Sequence, residues 1–228
     1  MTDLILASAS PRRAALLRQA GAVFSVMAAD IDEALGGAAN PGEYVEVLSQ
    51  KKAAAVADVL TNVNSSTRDN KAEPAGDRIL IVGADTIVVA RGGEFLGKPR
   101  DAADAKRMLK LLSGRWHEVF TGVTVIEAYV KPAGVTVIEA YVASNNNRAM
   151  LVRHERTRVR MARLDDGTID AYIQTGEPDD KAGAYAIQGK GSMIIERVDG
   201  CYFNVVGLPM RLLNTMLRAF GYDLLSAG

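Results

Sequence analysis

The chain of 228 residues has a single cysteine, Cys201, and two histidines, His117 and His154. One cysteine excludes an internal disulfide framework and a cysteine metal cluster, and two scattered histidines are too few for a histidine-built zinc site. Net charge is also missing, since 27 lysines and arginines balance 27 aspartates and glutamates. That balance argues against bulk electrostatic binding of nucleic acid or of an anionic membrane, though not against a local basic cleft. Aromatic residues are sparse, one Trp, five Phe and seven Tyr, which speaks against a stacking platform for single-stranded nucleic acid. No apolar run is long enough to span a bilayer, and the first residues lack the basic and apolar regions of a secretory signal. A cytosolic protein is expected, with neither nucleic acid nor membrane as partner. The remaining composition is globular, 48% hydrophobic and 24% charged, enough for one large domain or two intimate lobes.

Strands and helices alternate through the first half. Leu4-Ile5-Leu6-Ala7 reads as a buried strand, followed by a helix from Pro11 to Ala20 closed by Gly21. Phe24 to Met27 is a short strand candidate, and a long helix starts near Asn40-Pro41 and runs to Leu60. Residues 62–78 are polar and turn-rich. Ile79 to Ala90 is the strongest strand signal, interrupted by Gly-Ala-Asp-Thr, and Asp101 caps a helix that ends before Gly114. Such alternation predicts an α/β layer with a largely hydrophobic sheet. Gly122 to Val130 recurs unchanged as Gly134 to Val142, which reads as a tandem duplication in a surface hairpin turned by Lys131-Pro132-Ala133. Arg156, Arg158 and Arg160 alternate with Thr157 and Val159 as one solvated strand face. The last third predicts a short helix over 168–174, strands near 192–198 and 201–206, and an amphipathic helix from Pro209 to Phe220.

Chemistry concentrates at a few places. Leu6-Ala-Ser-Ala-Ser-Pro-Arg-Arg13 is a strand-to-helix turn. Ser10 suits the N-cap and Pro11 the first helical position, and free N–H groups at a helix start favour an anion. Ser8, Arg12 and Arg13 complete either a polyphosphate cradle or a capped surface helix with two solvated arginines. Asp85 stands inside an apolar run, where an unpaired charge is expensive. It would hold a divalent metal or a water at the mouth of the sheet, or simply close a strand-end turn. As a weak base it needs a raised pKa or a metal that acidifies the attacking water. Magnesium fits, because it binds one or two carboxylates plus substrate phosphates. Glu33 is a second carboxylate candidate, or an exposed loop residue beside Asp30 and Asp32. Lys52 and Lys98, each alone, read as solvated lysines. Asp180 to Gly189 is denser: its glycines, Gly183 and Gly189, permit close backbone approach to a ligand, and the Gln188 amide can read a base edge. There is no Gly-x-x-x-x-Gly-Lys-Ser/Thr loop and no dinucleotide Gly-x-Gly-x-x-Gly after a strand.

In order and spacing, these pieces resemble the Maf nucleoside triphosphate pyrophosphatases. The matching segments are Ser8 to Arg13, Lys52-Ala53, Gly83-Ala84-Asp85-Thr86, Gly97-Lys98-Pro99 with Asp101, Leu112 to Arg115, and His117-Glu118-Val119. Thr121-Gly122-Val123, Glu177 to Tyr185, Ile187-Gln188-Gly189 and Asn204 to Pro209 complete the set. The resemblance covers nearly the whole chain as a single domain, with insertions at about 62–78 and 126–150. It implies an elongated mixed α/β fold similar to the inosine triphosphate pyrophosphatases. A strongly twisted sheet carries flanking helices, and two lobes stand around a central cleft. It also implies hydrolysis of a nucleoside triphosphate to the monophosphate and pyrophosphate, assisted by a divalent cation (Mg2+ or Mn2+, for which Asp85 and Glu33 are the candidate ligands), in a homodimer. Asp85 matches the proton acceptor. Ser8, Ser10, Arg13, Lys52 and Lys98 match phosphate-cleft positions, and Lys181 joins them as a substrate-binding residue. Arg12, Thr86 and Gln188 match the trio of the branch that prefers dTTP and UTP over 7-methyl-GTP. The competing readings are a non-catalytic nucleotide-binding regulator of cell division and a pyrophosphatase for modified purine nucleotides.

Overall fold

The computed structural model describes residues 2–28, 30–31, 40–62, 77–130 and 150–226. The elements in order are β1 (Thr2–Ala7), α1 (Pro11–Gln19), β2 (Ser25–Val26), α2 (Pro41–Asn62), β3 (Asp77–Val89), β4 (Phe95–Leu96) and α3 (Ala102–Leu112). They continue with β5 (Trp116–Val130), β6 (Met150–Met161), α4 (Asp166–Ile173), β7 (Ile195–Asp199), α5 (Tyr202–Val206) and α6 (Met210–Ala219). The strands form one seven-stranded sheet in the order β2-β1-β3-β5-β6-β7, with β4 also on β3. β1 runs parallel to β2 and β3, and the other pairings are antiparallel. The sheet is therefore mixed, with helices packed against it. Among the described residues no helix is long and apolar enough to cross a membrane.

β3 decides where the cleft lies. Its residues 79–85 and 87–89 are buried, as expected of a central strand covered on both faces. One edge pairs with β5 along its whole length, from Asp77 opposite Val130 to Val89 opposite Glu118. The other edge pairs with β1 only as far as Gly83, opposite Ala7, and with β4 at Val88 and Val89. Between them the edge has no strand partner among the described residues, and the chain leaving β1 turns there into α1. The apolar core divides around this gap. One mass gathers Leu6, Leu17, Leu80 and Leu213 under α1 and α6, and another gathers Leu96, Leu109, Met161 and Ile169 under α3 and α4.

α2 lies unusually close to the sheet, and two glycines permit it. A Cβ on Gly83 would stand 2.2 Å from the Ser49 carbonyl oxygen, and one on Gly122 would stand 2.1 Å from that of Val45. Gly83 faces Thr124 and Asp85 faces Gly122 across the β3–β5 ladder, so these residues form one patch of small side chains. Ser49 Oγ and Thr124 Oγ1 lie 2.8 Å apart inside it.

Several expectations change. The Gly-Ala-Asp-Thr segment does not interrupt its strand, because β3 runs through it in register. The first copy of the duplicated segment is not a surface hairpin arm. Residues 122–126 have both edges taken, by β3 and β6, which leaves no edge for a second copy. Residue 62 ends α2, residues 77–78, 126–130 and 150 belong to the sheet, and the rest of both expected insertions lies outside the described residues, as does the second copy. Residues 202–206 form a helix rather than a strand. Gly200, at φ 127°, turns the chain, and buried Asn204 donates to the Val119 carbonyl and the Thr157 hydroxyl. The strand near 192–198 begins only at Ile195, after a 3-10 turn over Gly189–Ile194.

The contact at Gly122 admits no β-carbon without a backbone shift. Gly122→Ala should lower the unfolding free energy by about 2–3 kcal/mol in urea titration. An unchanged midpoint would mean that α2 stands further from the sheet than described.

Candidate active site

The β1–α1 turn supplies the floor of a cleft of about 440 Å3. Ser10 is the N-cap of α1 and Pro11 its first residue, as expected, but the Ser10 side chain makes no capping bond. Ser8 does the local work instead. Its Oγ accepts from Ser10 N at 3.3 Å and from Arg13 Nη1 at 2.9 Å. Arg13 is buried and fixed on three sides: besides Ser8, its Nε donates to the Gly207 carbonyl at 2.8 Å and its Nη2 to Thr86 Oγ1 at 3.0 Å. A proton order follows. Thr121 Oγ1 donates to the Asn204 carbonyl at 3.0 Å, so in its 2.9 Å contact with Thr86 it accepts. Thr86 must therefore donate to Thr121 while accepting from Arg13. Its hydroxyl hydrogen is spent inside the protein.

α2 brings Lys52 over the small-residue patch to Asp85. Lys52 Nζ lies 2.6 Å from Asp85 Oδ1, with side chains 15% and 11% exposed. Lys52 bonds the Oδ1 side of this carboxylate, and Asp85 itself lines the cleft. On the opposite rim, Asp180 bridges two cations, Arg12 at 3.1 Å and Lys181 at 2.5 Å. Burial alone would raise the Asp180 carboxyl, but Lys181 and Arg12 outweigh it and hold the group below the usual carboxylate range. Lys181 also donates to the Glu177 carbonyl at 2.7 Å. The Glu177 carboxylate receives the N–H groups of Lys190 and Gly191 at 2.8 and 3.0 Å, which hold it below its ordinary range. Those bonds, with Ala186 N donating to Tyr172 OH at 3.0 Å, pin the segment carrying Gln188. Gln188 itself is exposed at the rim.

Every described residue expected at the site lines this one cleft: Ser8, Ser10, Arg12, Arg13, Lys52, Asp85, Thr86, Lys98, Lys181 and Gln188. Glu33 lies outside the described residues. Gly183 serves packing rather than ligand approach, since a Cβ there would stand 3.0 Å from the Val88 side chain. Asp180, Thr121 and Gly207 lie in the matching motif segments, but the sequence assigns them no role in the site. The acidic pair Asp179-Asp180 beside Lys181 is the available signal for the first, and the roles of the other two are tertiary.

Among the described residues no group of three or more His, Cys, Asp or Glu could hold a metal. A protein-built cage is thus absent from them. The Asp85 carboxylate, bonded to Lys52 through Oδ1 and lining the cleft, suits an ion that takes one carboxylate and completes its shell with water and phosphate, as magnesium does.

A family model described as Maf-like protein matches residues 3–220. A curated relative from Pelotomaculum thermopropionicum, named dTTP/UTP pyrophosphatase, is 43% identical over 225 residues, 99% of this chain and 100% of that one. Another of the same name, from Acetivibrio thermocellus, is 44% identical over 225 residues, 99% of this chain and 98% of that one. A solved structure of the Ham1 protein of Staphylococcus aureus overlaps 96% of this chain and 99% of its own at TM-score 0.42 and 12% identity, too loosely to bear on this chain's chemistry.

One wall of the cleft carries a titration signature. Tyr185 lines it, and its hydroxyl meets Nε2 of buried His117 at 2.7 Å. Burial pushes His117 down from 6.5 to about 4, against the Arg115 backbone carbonyl. An unfolded histidine takes up its proton near pH ~6.5 while the native one does not, so stability falls as pH drops from there toward 4. The loss should reach roughly 3 kcal/mol. Urea titrations at several pH values should show a steeper slope over that window for the native sequence than for His117→Asn. Equal slopes would place a charged histidine in the native state.

Proposed function

We propose that this chain, which belongs to the Maf family, hydrolyses a nucleoside triphosphate to the monophosphate and pyrophosphate, with dTTP and UTP preferred. The relatives named for that activity support the substrate class. One observation carries the chemistry: the Asp85 carboxylate, 2.6 Å from Lys52 Nζ, stands in a cleft that also gathers Arg12, Arg13, Lys98 and Lys181. Carboxylate and cations thus face the same space, as a triphosphate substrate requires.

In the reaction a water gives its proton to Asp85 as its oxygen attacks the α-phosphorus. The bond from that phosphorus to the bridging oxygen breaks, and the electron pair leaves with pyrophosphate. Lys52 orients the accepting carboxylate. Lys98, Lys181 and the arginines neutralise charge that grows on the leaving group. Arg13 does so without rearrangement, because Ser8, Thr86 and Gly207 have already set its plane. Asp85, with Glu33 as second carboxylate, would hold Mg2+ or Mn2+. When bound, that cofactor supplies charge neutralisation and an acidified water.

Base choice falls to the rim. The exposed Gln188 amide can pair with a pyrimidine edge, and Arg12, paired with Asp180, lines the same cleft. Thr86 contributes by fixing Arg13 rather than by donating to the nucleotide. A cytosolic homodimer completes the proposal, and light scattering measures the assembly.

The test is pyrophosphate release with magnesium across dTTP, UTP, the purine triphosphates and 7-methyl-GTP. The chain should turn over dTTP and UTP fastest. Asp85→Asn should lose at least about 100-fold in kcat while nucleotide affinity stays within a few-fold. Near-native turnover in that variant removes Asp85 from the chemistry. Binding without release would favour the regulator, and fastest release from 7-methyl-GTP would overturn the pyrimidine preference.

A further inference from the structure

Away from the cleft, and sharing none of its lining residues, the start of β5 walls a second cavity of about 640 Å3. Trp116 lies opposite Arg160 and Glu118 opposite Arg158 in the β5–β6 ladder, so these side chains leave the same face of the sheet. Arg91 and Arg115 reach the cavity from the turns before β4 and before β5, and Gly92 and Gly93, at φ 107° and 88°, form a lip without side chains. In a chain with no net charge, this is a local concentration of guanidinium groups.

Their partners show which forks are available. Arg158 is paired with Asp199 at 3.5 Å and lies over the Trp116 ring, 4.8 Å from its centroid. Arg160 is paired with Glu196 at 2.8 Å. Glu118, the acidic lining residue, is bonded to Arg156. Arg91 and Arg115 differ. Both are exposed, and neither has a carboxylate within ion-pair distance among the described residues; Arg115 gives one N–H to the Leu111 carbonyl at 3.2 Å. Planar forks left without an acidic partner at the mouth of a cavity match phosphate oxygens better than they match open water.

We propose that this cavity is a second binding site, for a small polyanion of the polyphosphate class. Arg91 and Arg115 grip it, and Arg158 and Arg160, each held by its own carboxylate, line the wall behind. The proposal is independent of turnover in the cleft.

Trp116 is the single tryptophan of the chain, so its fluorescence reports this cavity directly. Metal-free titration with inorganic tripolyphosphate should change that emission saturably, with affinity weakening as salt rises. Arg91→Gln with Arg115→Gln, which breaks no ion pair, should weaken the response at least about tenfold while pyrophosphate release stays unchanged. Lys98→Gln, a substitution in the cleft, should leave the emission change intact. No saturable change, a change retained in the double variant, or one abolished by Lys98→Gln would each overturn the second site.

Discussion

The cleft depends on how closely α2 can approach the sheet. Lys52 can meet Asp85 at 2.6 Å only because Gly83 and Gly122 let the carbonyls of Ser49 and Val45 rest almost on the strand backbone. A β-carbon at either glycine would lift the helix, and the ammonium with it. Thr124 and Ser49 seal the same contact with a 2.8 Å hydrogen bond, so no buried hydroxyl is left unsatisfied there. An ionised pair this enclosed costs desolvation, and removing one partner would strand a charge. The place of Asp85 on β3, where one edge has no strand partner among the described residues, leaves it lining the cleft.

Arg13 performs the complementary task on the other side. It ties the β1–α1 turn, the middle of β3 and the segment after α5 together through Ser8, Thr86 and Gly207. Behind it, the Thr86–Thr121–Asn204 chain runs with a single proton direction into the buried interior. These segments are far apart in sequence, and each anchors a different part of the cleft wall. The result is a positive surface whose geometry exists before any ligand arrives, which is what electrostatic stabilisation of a transition state needs. At the rim, Arg12 and Lys181, both partly buried, converge on the exposed Asp180 carboxylate.

Much of this was legible in the residues. The apolar run of β3, the Asp101 cap of α3, whose side chain accepts from Asp104 N, and the Pro11 start of α1 followed from local chemistry. The ordered motifs named the cleft residues that the fold then brings together, although Lys52 and Lys98 alone carry no such signal. What stayed hidden was tertiary. Cys201 to Val206 is too short for apolar periodicity to separate strand from helix, and the hydrogen bonds of buried Asn204 decide it. Ser10 sits at the cap, yet Ser8 holds the arginine, a choice made by Arg13 and not by the turn. Gly183 suggested a ligand but answers to Val88. The duplicated sequence could not tell that its first copy lies inside a sheet with both edges taken.

If Lys52 and Asp85 act as one unit, their substitutions cannot be independent. A double-mutant cycle on kcat/KM for pyrophosphate release from dTTP, with Lys52→Met, Asp85→Asn and the pair together, measures this directly. The double variant should be little slower than the worse single one. Losses that simply multiply would mean that the 2.6 Å contact does not shape the reaction, and the cleft would need another catalytic centre.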